Sequence, residues 1–254
     1  MSLIYLPVDK QAEGEINGGE IIEKKPIGFP QDGGLIKPYS NIFYWSFARV
    51  TKDTTIPEHP HKGFEILTIV LQGEIEHYEN KNKVWKKLTA GDAQLIKAGN
   101  GITHIESLSK NSEIFQIWFD PDLSKSINKE SFYKDFSSDK LPIKMEENKS
   151  TKMYIGVDAP IKMSSEGVEI KELSLSIEEH ILKLDTTKVY SGFVIEGEIV
   201  IQDKLMNKGD FFIIKRQGKE KINVLKDSRL FIVDSPLQTS YKTYAEIHHL
   251  ENNL

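Results

Sequence analysis

Seven histidines occur in the 254 residues, and three of them fall in two short segments whose spacing suits metal ligation. The first segment is PEHPHKGFE, residues 57 to 65, with His59 and His61 two residues apart. In extended chain, residues i and i+2 project from the same face. His59 and His61 therefore converge, and Glu65 shares their parity. The second segment, THIE, gives His104 and Glu106 the same spacing. If the two segments are neighbouring strands, three imidazoles and a carboxylate meet. Neutral imidazole and carboxylate suit Fe, Ni, Cu, Zn or Mn, and four protein ligands on a six-coordinate ion leave two positions for water or substrate. A lone H-x-H is common surface chemistry, and a lone H-x-E says less still. The weight lies in the ordered series of H-x-H, a Gly-Glu hairpin, a Gly-Asp turn and H-x-E. Pro60, between the two histidines, points the other way. It cannot donate to a ladder, so it belongs at a sheet edge or a bulge.

Any metal must be held without sulfur, because the chain has no cysteine. Disulfides, thiolate sites, iron–sulfur clusters and cysteine nucleophiles are excluded with it. The net charge of −5 lacks the basic surface of a non-specific nucleic-acid binder. No apolar run approaches the ~20 residues needed to cross a bilayer. The N-terminal MSLIYLPVDK lacks the basic-then-apolar pattern of a secretion signal. The expectation is a cytoplasmic protein with no membrane contact and no direct nucleic-acid contact.

The elements that must position these residues read as short strands. FEILTIVLQGEIEHY (64–78) is rich in β-formers and broken at Gln72-Gly73. SEIFQIWFD (112–120) alternates Ile114, Gln116 and Trp118 against Phe115, Ile117 and Phe119, as in a sandwich or barrel core. Helical periodicity is confined to NKESFYKDF (128–136) and TYAEIHHLENN (243–253). Residues 120–151 read as a polar connector with one short helix. A Gly-Glu-Ile turn followed by a Gly-Asp-led apolar strand occurs twice. Gly73 and Gly197 are 124 residues apart, Gly91 and Gly209 118. Two similar β-domains in tandem follow. Those offsets place Lys183, Asp185, Ile222 and Val224 where the first copy has its four candidate ligands, so the second copy is expected to hold no metal.

Other candidates read more plainly. His77, at the hairpin EIEHYENKNK, is expected to be exposed, and His180 to lie in solvent or a turn. His248 and His249 belong to an amphipathic C-terminal segment. Trp45, Phe47, Phe64, Trp118 and Phe119 read as core, and the lysines of KNKVWKK (81–87) as a solvated hairpin.

HPHKGFEILTIVLQGEIEH and GDAQLIKAGNGITHIE resemble the two motifs of the cupin superfamily, in the form found in pirins. Lys97-Ala98-Gly99 replaces the usual proline-glycine of other cupins, and His104 lies further beyond that glycine. Both departures are pirin-like. Asn100 stands where pirins usually have arginine. The resemblance is specific over about residues 55–120. It implies an all-β fold of two tandem cupin barrels (jelly-roll, or double-stranded β-helix) with a few short helices. Residues 1–135 would form a metal-binding N-terminal barrel, and 136–254 a C-terminal barrel lacking metal ligands. Carried over by position, the ligands are His59, His61, His104 and Glu106. Glu65 is an alternative ligand, or a partner that orients a ligating imidazole. The implied cofactor is one divalent transition metal, Fe(II) first, with Ni, Cu, Mn, Co or Zn as alternatives. The implied activity is that of a quercetin 2,3-dioxygenase, acting on a small aromatic oxygenated substrate and O2 with Glu106 as proton acceptor. The alternative is a non-catalytic, redox-sensing regulator that binds protein partners.

Overall fold

The computed structural model describes residues 3–79 and 83–250. β1 (Leu3–Leu6) is the first strand. The histidine-bearing half then runs through β2 (Ala12–Ile16), β3 (Ile21–Ile27), β4 (Ile42–Val50), β5 (Thr54–His61), β6 (Glu65–Gln72), β7 (Glu74–Glu79), β8 (Val84–Thr89), β9 (Ala93–Lys97), β10 (Ile102–Leu108), β11 (Glu113–Phe119) and β12 (Phe132–Phe136). The second half adds β13 (Ile143–Glu146), β14 (Lys149–Ile155), β15 (Glu169–Leu175), β16 (Glu179–Lys183), β17 (Lys188–Ile201), β18 (Lys204–Asn207), β19 (Phe211–Lys215) and β20 (Lys219–Pro236). Two single-turn helices, α1 (Leu123–Ser126) and α2 (Tyr244–Ile247), complete the elements used below. Among the described residues no helix is long and apolar enough to cross a membrane.

The chain forms two compact β units. In the histidine-bearing unit a seven-stranded sheet, β12-β9-β6-β11-β4-β3-β2, faces a four-stranded sheet, β5-β10-β7-β8. Ile21, Ala48, Val70 and Ile114 from the first pack against Ile75, Leu88 and Leu108 from the second. This is the two-layer arrangement of a jelly roll. Both faces of β11 are at least partly covered, as its alternation predicts: Phe115, Ile117 and Phe119 are fully buried, and Ile114 faces the other core. In the second unit a single connected sheet, β1-β19-β17-β20-β15-β14-β13, wraps a core that includes Tyr190, Val194, Phe212, Ile222 and Leu230, with β16 and β18 added on β20 and β17.

The duplicated turns are built alike. Gly91 N donates to Val70 O at 2.7 Å, and Gly209 N to Val194 O at 2.8 Å. Both glycines sit at φ +92°, a left-handed conformation that a Cβ disfavours. The aspartate after each glycine caps a neighbouring backbone. Asp92 Oδ1 accepts from Ser138 N at 2.7 Å, and Asp210 Oδ1 from Val8 N at 2.8 Å. The equivalence extends to the edge strands: β12 pairs with β9, and β1 with β19.

The units therefore do not divide at a single point near residue 135. One gathers Gln11–Lys140, Met163–Ser165 and Tyr241–Leu254. The other gathers Met1–Lys10, Leu141–Lys162 and Glu166–Ser240. Two other expectations need correction. Residues 132–136 of NKESFYKDF form strand β12, because the open edge of β9 supplies backbone partners from Phe132↔Lys97 to Phe136↔Ala93. In the second unit, register pairs Ile222 with His180 just as it pairs His104 with His59. The counterpart of His59 is therefore His180, not Lys183, since the connection after β16 is longer than that after β5. His180 is buried, neither in solvent nor in a turn, and its Nε2 donates to Ser176 O at 2.9 Å.

Candidate metal centre

The four-stranded sheet positions the site. β5 is its edge strand, which accommodates Pro60, exposed between the half-buried His59 and His61. β10 lies beside it, with His104 opposite His59 and a register shift between His104 and Glu106. The three imidazoles converge: His104 Nε2 lies 2.7 Å from His59 Nε2 and 2.9 Å from His61 Nε2. His59 Nδ1 donates to Pro57 O at 2.8 Å, which fixes the ring so that its Nε2 lone pair faces the cluster.

Glu106 joins from one layer deeper. Its carboxylate groups with His104 and His77, all three fully buried, whereas His59 and His61 group with His104 alone. Candidate ligand atoms within each triad lie within 4.8 Å of one another. His104 is thus shared between an outer and an inner triad. His77, expected to be exposed, is completely buried on β7, and its Nε2 donates to Glu106 Oε1 at 3.2 Å. The signal was present in the Glu74-Ile75-Glu76-His77 alternation, which sets His77 on the same side as buried Ile75. His77 also stacks on Tyr133, ring centroids 5.7 Å apart.

Electrostatics separate the donor types. Burial, reinforced by neighbouring histidines, lowers His61 to about 4. Burial likewise takes His104 to about 3, against the pull of Glu106. Burial pushes Glu106 upward, but the His77 hydrogen bond and the surrounding histidines outweigh it and hold the carboxyl near 2. At neutral pH His61 and His104 are therefore neutral and Glu106 is ionised, the protonation states that metal ligation needs.

Glu65 lies elsewhere. Gly63, at φ +83°, turns the chain from the four-stranded into the seven-stranded sheet, so the parity shared with His59 and His61 does not carry through. The Glu65 carboxylate accepts from Ser164 N at 2.7 Å, and from Ser165 N and Ser165 Oγ, both at 2.7 Å. Lys97 Nζ stands 3.4 Å away. With its oxygens so engaged, Glu65 lies outside both groups of possible ligands around His104.

Beside His59, His61 and Glu106 opens a cavity of about 300 Å³, walled by Ile21, Phe29, Ile56, Leu108 and Trp118 among others. Trp118 meets His61 edge-on at 4.9 Å. Of the other aromatics read as core, Trp45 and Phe119 are fully buried, and Phe64 packs against Phe43 and Tyr244.

Residues 36–119, which contain every one of these histidines and Glu106, match the family model described as Pirin. That segment is a pirin-family cupin segment. A pirin-like protein of Caulobacter vibrioides is 39% identical over 79 residues, 30% of this chain and 34% of that protein. The quercetin 2,3-dioxygenase of Escherichia coli K12 is 36% identical over 91 residues, 32% of this chain and 39% of its own length. These two alignments thus span little more than a third of either relative. The crystal structure of the E. coli pirin YhhW in complex with nickel(II) superposes with a TM-score of 0.76 at 19% identity, covering 92% of this chain and 99% of that one. That likeness extends the two-barrel cupin fold to both halves of this chain. The donor set also fits a divalent metal: three converging imidazoles, one oriented from behind by a backbone carbonyl, and an ionised carboxylate.

Proposed function

We propose that this protein holds one divalent transition metal through His59, His61, His104 and Glu106, and that it oxidatively opens a flavonol-type substrate. The observation that carries the reading is the convergence of three Nε2 atoms, two at 2.7 and 2.9 Å from the third, at the mouth of a cavity with an aromatic wall. When bound, the metal supplies positions for a pair of ligand oxygens and for dioxygen. Fe(II) and nickel(II) are both suited to this donor set. The second β unit, with Leu182, Ile222 and Val224 at the register positions of His61, His104 and Glu106, holds none.

The chain's own residues do the rest. Phe29, Tyr44 and Trp118 form an aromatic wall, with Phe29 stacked on Tyr44 at 4.2 Å and edge-on to Trp118 at 5.3 Å. Such a surface takes up a planar ring system and excludes water from it. Glu106, ionised and backed by His77, offers a carboxylate for a hydroxyl proton on the bound substrate. The names of the relatives favour a flavonol over other planar oxygenated molecules.

Metal-free protein is loaded anaerobically with Fe, Ni, Cu, Mn or Co, then mixed with quercetin and oxygen. Loss of flavonol absorbance with release of carbon monoxide is expected with at least one metal, and His104→Ala abolishes both metal retention and turnover. Unchanged absorbance with all five metals refutes the enzymatic reading.

A further inference from the structure

The wall opposite the histidines carries a row of polar side chains across five strands of the seven-stranded sheet. Asp135 on β12 stands opposite Gln94 on β9, and Gln94 opposite Thr68 on β6. Thr68 stands opposite Gln116 on β11, and Gln116 opposite Ser46 on β4. The flanking rows are apolar or aromatic: Ile66, Trp118 and Tyr44 on one side, Val70, Ile114 and Ala48 on the other. A polar row on an inner sheet face is costly unless its groups are paired.

Parts of the row are paired with one another or with neighbours, although Gln94 Oε1 has no partner among the described residues. Gln94 Nε2 donates to Tyr133 Oη at 3.0 Å and to Asp135 Oδ1 at 2.9 Å. Ser46 Oγ donates to Glu23 Oε1 at 2.7 Å, and Tyr44 Oη to the same oxygen at 2.9 Å. Gln116 differs. Its Oε1 accepts from Trp118 Nε1 at 3.1 Å. An indole N–H can only donate, so the amide oxygen must face Trp118 and the amide NH2 must face away. Among the described residues that NH2 has no protein acceptor, and Gln116 lines the 300 Å³ cavity together with Ser46 and Glu23. The same Trp118 touches His61, so a single indole separates the metal-proximal imidazole from the free amide.

We propose that Gln116 is the specificity-determining residue of this pocket, and that it reads a hydroxyl on the ligand's ring system remote from the metal-binding oxygens. The inference rests on the flavonol reading above and narrows it to polyhydroxylated flavonols. The amide NH2 donates to the hydroxyl oxygen. Glu23, beyond the small Ser46, presents a carboxylate on the same wall to the hydroxyl's proton. Trp118 sets the direction of the donor in advance, so little ordering is left to binding.

The test compares quercetin with 3-hydroxyflavone, which keeps the 3-hydroxyl and 4-carbonyl but lacks the remaining hydroxyls. Binding to the nickel(II)-loaded full chain is measured anaerobically by calorimetry. Wild type is expected to favour quercetin by about tenfold, the scale of one net hydrogen bond gained. Gln116→Leu, which can neither donate to the hydroxyl nor accept from it, should bring the two affinities to within about twofold of each other. Gln116→Glu has the same shape and still accepts from Trp118, but its carboxylate can itself accept from the hydroxyl, so it serves only as the control for fold and metal content. Equal affinities in wild type, or a tenfold preference retained by a metal-replete Gln116→Leu, overturn the assignment. If neither flavonol binds to wild type, the flavonol reading falls and this inference with it, an outcome distinct from binding without discrimination.

Discussion

Glu65→Gln separates a structural carboxylate from a metal ligand. In the native chain Glu65 is 1% exposed and accepts from Ser164 N, Ser165 N and Ser165 Oγ, with Lys97 Nζ at 3.4 Å. Glutamine keeps one oxygen, which would serve the Ser165 pair best. Its NH2 then faces the Lys97 ammonium and replaces the 2.7 Å acceptor of Ser164 N, which keeps only its 3.0 Å contact to the retained oxygen. One hydrogen bond to a charged group is lost, worth about 1.5–3 kcal/mol. The Lys97 pair is partly exposed and adds little. The expected loss is therefore about 2–3 kcal/mol, read from the urea midpoint at unchanged slope. Metal content, measured on the same preparations, should stay at the wild-type value because Glu65 faces away from the imidazoles. Glu106→Gln should show the reverse emphasis, with metal retention falling first. A Glu65→Gln protein of wild-type stability that has lost its metal would refute this placement of the carboxylate.

Three further outcomes follow from the same structure. His77→Ala leaves His59, His61 and His104 in place but removes the hydrogen bond to Glu106, so metal affinity should fall by about 10- to 100-fold in a chelator competition. Burial raises Asp120 to about 7 from 3.8, so between those values the folded chain binds more protons than the unfolded one, and wild-type stability falls as pH rises through that window. Asp120→Asn, whose side-chain oxygen can still accept from Ala245 N, should therefore gain about 1–2 kcal/mol over wild type at pH 8 and almost nothing near pH 4, as measured by unfolding at the two pH values. In the second unit, a Cβ on Gly192 would lie 2.0 Å from the Phe212 ring, which is fully buried and cannot swing away, so Gly192→Ala should destabilise that unit by about 2–4 kcal/mol in calorimetry.

The parts of the site legible in sequence are those set by local geometry. H-x-H and H-x-E on strands fix which way His59, His61, His104 and Glu106 point, and β5 and β10 are indeed neighbours. The Gly-Asp turns were legible because a left-handed glycine and a capping aspartate leave a compositional trace. What escaped depended on where strands end and what they meet. The parity of Glu65 was counted across Gly63, where the chain leaves one sheet for another. The hairpin EIEHYENKNK suggests exposure for His77, whereas its alternation with Ile75 places it inside. The position of His180 opposite Ile222 was hidden by a connection of different length in the two copies. Phe132–Phe136 has a periodicity that suits either element, and only the free edge of β9 decides in favour of strand.

The pairing of β1 with β19 also sets an order in time. Tyr5 Oη donates to Asp210 Oδ2 across 205 residues of chain, so the segment that closes the second unit must wait, unpaired, while nearly everything between is synthesised. The histidine-bearing unit waits as well, for the Ser164–Ser165 backbone that engages Glu65 and for Tyr241 and Ala245, which bond to Asp120. Neither unit can be completed from the first half of the chain alone. A chain halted near residue 140 would contain all four candidate ligands but an unfinished barrel, which ties completion of the candidate metal site to synthesis of residues 164 to 245.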